Sequence, residues 1–310
     1  MKLRDYSVIC DIIVDIILSY RIPLESDIDS NNSIKEIISN KVSYFVENNL
    51  PIEFSISAFS LKSQIPWKCI SYLPDMAEYE ALTLFNEIIN KINLIYDEWA
   101  NINIFADWRL FVWLLYGFTD ELVTKYINSL RNIALEINKN NIKIISLEDV
   151  FWNNYEESRE KLFQMKYINT KKLITDLTKT EYWKNLIMYI RDFYAKDIRK
   201  PFWLSIKYSR IEWLKMAIWV LSRSKSWSEV IKETTNLNTI RFSCHPRPYI
   251  YEPWKIWIYM NRTKTKSCMP WHWVAVKTEK WFIYKRKETV INEWGSFYEN
   301  EWLPYYMFKK

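Results

Sequence analysis

The sequence predicts an α/β protein: a Rossmann-like, largely parallel sheet flanked by helices, with a helical middle and a C-terminal antiparallel strand section. Three observations carry that expectation. Short strand-like runs at 52–59 (IEFSISAF), 101–106 (NINIFA) and 142–146 (IKIIS) alternate with amphipathic stretches at 75–95 and 120–137, the pattern of βαβ units. Residues 147–165 and 170–235 then read as mostly helical, with breaks near Pro201. Strand-like runs return at 240–245 (IRFSCH), 254–260, 273–277 and 281–286.

The elements follow in order. The apolar stretch from Val8 to Tyr20 is interrupted by Asp11 and Asp15, four apart on one helical face. That predicts an amphipathic helix packed on a core, and neither a secretion signal nor a membrane span. Residues 25–35 (ESDIDSNNSIK) are polar and read as a linker or cap, which divides the chain into an N-terminal helix with linker, 1–40, and a main domain, 41–310. In 75–95, Ala77, Ala81, Leu82, Phe85, Ile88, Ile89, Ile92 and Ile95 recur at helical spacing. Asp75 followed by Glu78 fits a capping box that starts this helix. No run of 18 apolar residues exists, so no transmembrane segment is expected.

Composition narrows the function classes. With 49% apolar and 26% charged residues, the 310-residue chain can bury a sizeable core, which excludes wholesale disorder. Cys10, Cys69, Cys244 and Cys268 show no CxxC spacing, and only His245 and His272 could join them. No metal site is expected, and the thiols read as reduced in a cytoplasmic protein. The net charge of +6 comes without a basic block of five residues. It suits an enzyme for anionic substrates and a weak nucleic-acid binder alike.

Polar chemistry collects at the ends of the expected strands. Lys62 and Ser63 follow the first, Asp107 and Arg109 the second, and Arg241, Ser243 and His245 lie in the 240–245 run. In open parallel sheets, ligands sit outside the carboxyl ends of strands. Parallel neighbours would bring these groups to one cation-rich cleft, fit for a phosphate or carboxylate. Surface cations and a structural histidine are the bland reading of the same residues. His245 and His272, the latter in Pro270-Trp271-His272, are the natural proton carriers near neutral pH. Arg223 and Lys225, in LSRSKSWSEV, either face that cleft or form a solvated helix face.

The chain resembles the isonitrile (isocyanide) synthases, which include the pyoverdine/paerucumarin and dityrosine biosynthesis proteins. The matching pieces are AFSLKS (58–63), KCISYLPDMAEYEAL (68–82), YDEWANINIFADWRLF (96–111), SRSKSWSEVI (222–231), IRFSCHPRP (240–248), KIWI (255–258) and PWHWVAV (270–276). The resemblance implies an enzyme that converts the amino group of an amino acid, typically tryptophan or tyrosine, to an isonitrile. It implies ribulose 5-phosphate as carbon donor, no metal or organic cofactor, and an iron- and 2-oxoglutarate-dependent oxygenase as a pathway partner. On that reading Lys62, Arg109 and Arg223 hold phosphate and carboxylate. His245 and His272 move the protons of imine formation and elimination, and Asp107, Arg241 and Lys255 orient them, with Ser63 and Ser243 beside the substrate. Ala106 and Arg247 depart from the family pattern. Two other readings stay open: an inactive relative serving as a scaffold, and a nucleic-acid binder with a basic, aromatic surface.

Glycine and tryptophan usage is abnormal. The chain has 2 Gly and 17 Trp, where average usage gives about 22 glycines. Trp99, Trp108, Trp281 and Trp302 sit at strand ends and turns where positive φ is cheap only for glycine. In the resembled family positions 99, 108 and 257 are typically glycine. Together with an Ile-, Asn- and Lys-rich composition, this points to UGA codons read as glycine in the source and written here as tryptophan. Trp271 and Trp227 match authentic family tryptophans.

Overall fold

The computed structural model describes residues 6–23, 27–59, 61–62, 68–106, 108–112, 119–177, 179–181, 184–185, 187–188, 210–244, 255–266, 269–293, 295–299 and 303–308. Its frame is a five-stranded, all-parallel sheet in the order β3-β2-β1-β4-β5. The strands are β1 (Ile52–Ser57), β2 (Ala100–Phe105), β3 (Ile142–Ile145), β4 (Ile240–Ser243) and β5 (Lys255–Trp257). Helices α3 (Met76–Asn93) and α4 (Asp120–Ile137) make the crossovers from β1 to β2 and from β2 to β3. Each lies within one or two residues of where the sequence pattern puts it.

Side chains alternate across a strand, and the parallel register turns that alternation into two unlike faces. Phe54, Ile56, Ile102, Ile104, Ile142, Ile144, Ile240, Phe242 and Ile256 form an apolar face. The opposite face carries a transverse polar row, Lys143–Asn103–Ser55–Arg241–Lys255, each in register with the next.

One expectation is overturned. The polar run at 25–35 is not a linker: helix α2 spans Asp27–Glu47. Ser, Asn and Asp favour turns over helix interiors, which is why the segment reads as a break. Ile34, Ile38, Val42, Phe45 and Val46 nevertheless recur at helical spacing, and all are buried in the core shared with the sheet. Helix α1 (Tyr6–Ser19) buries Ile13, Val14 and Ile17 in the same core. The boundary at residue 40 therefore falls inside a helix.

The helical middle runs through α5 (Leu147–Phe151), α6 (Tyr155–Leu162), a π-helical turn at Phe163–Tyr167, and α7 (Ile168–Leu177). It ends in the long helix α8 (Arg210–Thr234). The expected break near Pro201 lies outside the described residues. α8 returns the chain to β4 on the other side of β1, beneath the polar face: its Trp227 meets the Phe105 ring edge-on at 5.9 Å. A second, four-stranded sheet has the order β7-β6-β9-β8, from β6 (Val274–Lys277), β7 (Phe282–Lys285), β8 (Gly295–Glu299) and β9 (Pro304–Phe308). Its β6–β7 and β8–β9 pairs are antiparallel and β6–β9 is parallel, so the C-terminal section is mixed. A short helix, α9 (Lys287–Asn292), joins β7 to β8. Among the described residues no helix is long and apolar enough to cross a membrane.

Candidate active site

Strand order reverses between β1 and β4, and sheets of this kind take ligands outside the carboxyl ends of the strands at such a point. The chain leaves β1 through Phe59, a non-glycine residue at φ 58°. A β-branched or bulky residue in that region is strained, and packing holds it: the buried Phe59 ring lies 6.3 Å from Phe85 and 5.7 Å from Trp271. The 3-10 turn Pro270–His272 is thereby seated on the switch point. His272 is half-buried beside Trp271, ring centroids 6.1 Å apart.

Lys62 is fully buried at this point. Its Nζ pairs with Asp75 Oδ2 at 2.9 Å and Glu78 Oε2 at 3.0 Å. It also donates to the carbonyls of Pro270 (3.0 Å) and Trp273 (3.1 Å). Asp75 and Glu78 make the expected capping box of α3, with Ala77 N donating to Asp75 Oδ1 and Asp75 N to Glu78 Oε2. The pair thus caps the helix and holds Lys62. The two carboxylates keep the Lys62 ammonium charged well above the ordinary lysine range despite its burial. One ammonium cannot neutralise both, so burial and neighbouring Asp75 push Glu78 up to about 7, against the pull of Lys62. Tyr126 donates to Glu78 Oε1 at 3.1 Å.

Arg109 is likewise turned inward rather than toward a cleft, at 2% exposure. It donates to Glu148 Oε1 (2.8 Å), Thr124 Oγ1 (2.6 Å), Asp120 Oδ1 (3.2 Å) and the Asp120 carbonyl, and stacks on Tyr155. Arg159 reaches both Asp120 oxygens, at 3.1 and 3.0 Å, and the Arg109 carbonyl at 3.2 Å. This knot ties the turn after β2 to α4, α5 and α6. Arg223, on α8, donates to the carbonyl of the next residue in that turn, Leu110. It lies against the Phe163 ring and bonds Tyr167, both from the π-helical turn. Desolvation lowers its affinity for its proton, Tyr167 opposes that, and nearby Arg159 adds to it. Its Nε is buried with no hydrogen-bond partner among the described residues.

A third cationic group lies one turn along α8. Arg241 and Lys255, adjacent in the polar row, both reach Ser228 Oγ at 3.3 Å. Ser243, at the end of β4, pairs in register with Trp257. Lys41 of α2 donates to the Thr239 carbonyl, and burial together with Arg241 lowers its pKa to about 8. A cavity of about 490 Å³ opens beside Arg241, lined by Lys225, Ser228, Glu229, Lys232, Glu233, Thr235 and Leu237. It runs toward the start of β4 and includes neither His272 nor Arg223. Its lysines and glutamates partly offset one another through the Lys225–Glu229 pair at 3.9 Å.

The expected residues do not converge on one cleft: they gather in three separate groups, two beside the carboxyl ends of β1 and β2 and one on the polar face, from the second residue of β4 and the first of β5. These are Lys62 with His272, Arg109 with Arg223, and Arg241 with Lys255. His245, Asp107 and Ser63 lie outside the described residues. Sequence reasoning missed Tyr126, Asp120 and Ser228 as partners. Thr119, the N-cap before Asp120, was the one local signal for that knot; the other contacts join residues far apart in the chain.

An open, five-stranded parallel sheet with helical crossovers and a switch point between β1 and β4 defines a doubly wound α/β protein. A family model described as "Pyoverdine/dityrosine biosynthesis protein" matches residues 42–295, and the chain belongs to that family. It is 32% identical over 250 residues to an L-tryptophan isonitrile synthase of Fischerella ambigua, covering 80% of this chain and 74% of that protein. It is 29% identical over 278 residues to an L-tyrosine isonitrile synthase of Pseudomonas aeruginosa, covering 87% and 83%. The crystal structure of the PvcA protein from Pseudomonas aeruginosa superposes with a TM-score of 0.85 at 27% identity, over 97% of this chain and 100% of that one.

Proposed function

We propose that the protein is an isonitrile synthase, converting the amino group of tryptophan or tyrosine to an isonitrile with ribulose 5-phosphate as carbon donor. The observation that carries the reading is its relation, across most of the chain, to synthases named for those two amino acids. The site chemistry supports it. A substrate pair with one carboxylate and one phosphate needs fixed cations. Arg223, whose buried Nε has no hydrogen-bond partner among the described residues, and the Arg241–Lys255 pair supply them. His272 and His245 carry protons in the condensation of amine with ketone and in the later eliminations. Arg109 holds the β2 turn. The product suits further processing by an iron- and 2-oxoglutarate-dependent oxygenase. The buried Trp227 and Trp271 offer no stacking face to nucleic acid. Incubation with each amino acid and ¹³C-labelled ribulose 5-phosphate tests the reading. A labelled isonitrile is expected from tryptophan or tyrosine, and a folded protein that forms none from any amino acid overturns it.

Recoding of UGA as glycine belongs to the same reading, but on fewer positions than the sequence suggests: Trp108 starts a 3-10 turn and Trp281 does not hold positive φ, while Trp302 lies outside the described residues. Trp99 has φ 73° and is 55% exposed; Trp152 caps α5 at φ 54° and ψ 36° and is 89% exposed. Left-handed backbone with the side chain in solvent is glycine chemistry. Peptide mass spectrometry of the protein from its own source is expected to find glycine at 99 and 152. Tryptophan at both ends the proposal.

A further inference from the structure

We propose that Lys62 is the positioning residue for His272, gripping the peptide carbonyls on both sides of the turn that carries the imidazole while Asp75 and Glu78 hold its ammonium in place. The inference rests on reading His272 as a proton carrier of the site.

The geometry leaves the turn little freedom. Pro270 and Trp273 bracket Trp271 and His272, and both outer carbonyls accept from Lys62 Nζ, at 3.0 and 3.1 Å. Between them the Trp271 carbonyl accepts from Cys69 Sγ at 3.5 Å. Trp273 N closes the turn onto the Pro270 carbonyl at 3.3 Å, and Pro270 fixes its own φ. The Trp271 indole is buried against Phe59. Three chain segments, around 62, 75–78 and 270–273, meet on one ammonium. An exposed surface pair would not need them, and a purely structural lysine would not need to flank the histidine. Four acceptors surround one Nζ, so the grip depends on the charge of the cluster.

That charge changes in the working range of an imidazole. Facing the cluster are Asp75 and Glu78 at the start of α3, Tyr126 from α4, Cys69 from the preceding loop and Tyr306 from β9. Among these, Glu78 is the group pushed to about 7. Burial raises the Asp75 carboxyl as well, so the two acids give up their protons as a pair; once both are ionised, two carboxylates compete with the turn's carbonyls for the same Nζ.

Side-chain NMR of ¹³C,¹⁵N-histidine protein reads this without turnover. The chain has 2 histidines, assigned with His245→Gln and His272→Gln, so each imidazole is its own signal and His245 serves as reference. In the wild type the His272 signals should titrate with a second inflection near 7, the value of Glu78. Glu78→Gln should remove that inflection and flatten the matching limb of the kcat–pH profile. Lys62→Met should shift or broaden His272 alone and lower kcat by about 100-fold at little change in KM. Lys62→Arg, which keeps the charge, should restore part of both. A folded Lys62→Met with unshifted His272 signals and kcat within about twofold of wild type overturns the proposal. If Lys62→Met does not fold, Glu78→Gln decides: an unchanged His272 titration overturns it. A wild type that makes no isonitrile refutes the activity, while the histidine signals still judge the positioning.

Discussion

Four tryptophans separate into two kinds by backbone and burial. Trp227 and Trp271 are each 1% exposed and pack on Phe105 and Phe59. Trp99 and Trp152 hold positive φ and leave their indoles in water. Replacing Trp99 or Trp152 with glycine should therefore stabilise the protein by about 1 kcal/mol, by removing left-handed strain. Trp227→Ala should cost about 3–5 kcal/mol through lost packing. Urea unfolding would show both as midpoint shifts at unchanged slope. At the same scale, the two depressed or raised groups give opposite pH signatures. Folded Glu78 titrates near 7 rather than its ordinary 4.5, so between those values the folded state binds more protons than the unfolded. Stability then falls as pH rises through that window, and Glu78→Gln should flatten the fall. Lys41 titrates near 8 instead of 10.5, so the unfolded state binds more protons between them. Stability rises with pH there, and Lys41→Met should abolish the rise.

Helices do more here than fill the spaces between strands. The first residue of α4, Asp120, bridges two buried arginines that hold the turn after β2, and Glu148 supplies the second carboxylate. Asp120→Asn takes the carboxylate from Arg159 and leaves Arg109 with Glu148 alone, and it should destabilise by about 3–5 kcal/mol, measured by thermal or chemical unfolding. Along α8, Arg223 reaches the β2 turn and Ser228 reaches the Arg241–Lys255 pair, five residues on. That one helix thus spans two of the three cationic groups. Ser228→Ala removes the oxygen both cations share, and it should raise KM for the phosphorylated substrate with little effect on kcat. Legibility differs among these elements for a physical reason. α3 and α4 carry apolar stripes and capping residues within their own spans, so local pattern reveals them. α2 carries a stripe too, but its first turns are Asp, Ser and Asn, residues that favour turns unless tertiary packing repays a helix. β8 and β9 pair with each other as sequence neighbours, Glu299 opposite Pro304, yet escaped notice because GSFYE and PYYMF carry no clean apolar–polar alternation.

One core joins the N-terminal helices to the sheet, since Ile13, Val14, Ile17, Ile38 and Val42 share it with Phe54 and Ile104. A chain beginning at residue 41 would lose α1 and two-thirds of α2 and expose that core. Such a truncation should lack the cooperative unfolding transition of the full chain in calorimetry, and a sharp transition would restore the division at residue 40. The alternation of strand and helix, the two polar-capped crossovers and the parallel class were all written locally, because hydrophobic period and capping chemistry act over a few residues. So was the family, in stretches such as KCISYLPDMAEYEAL and PWHWVAV. The direction each cation faces was not. Lys62 and Arg109 look alike as strand-end residues, yet burial sends one to Asp75, Glu78 and the histidine turn, and the other to Asp120 and Glu148. Those partners lie 11 to 211 residues away, and a buried charge is steered by whichever opposite charge the fold brings within a few ångströms.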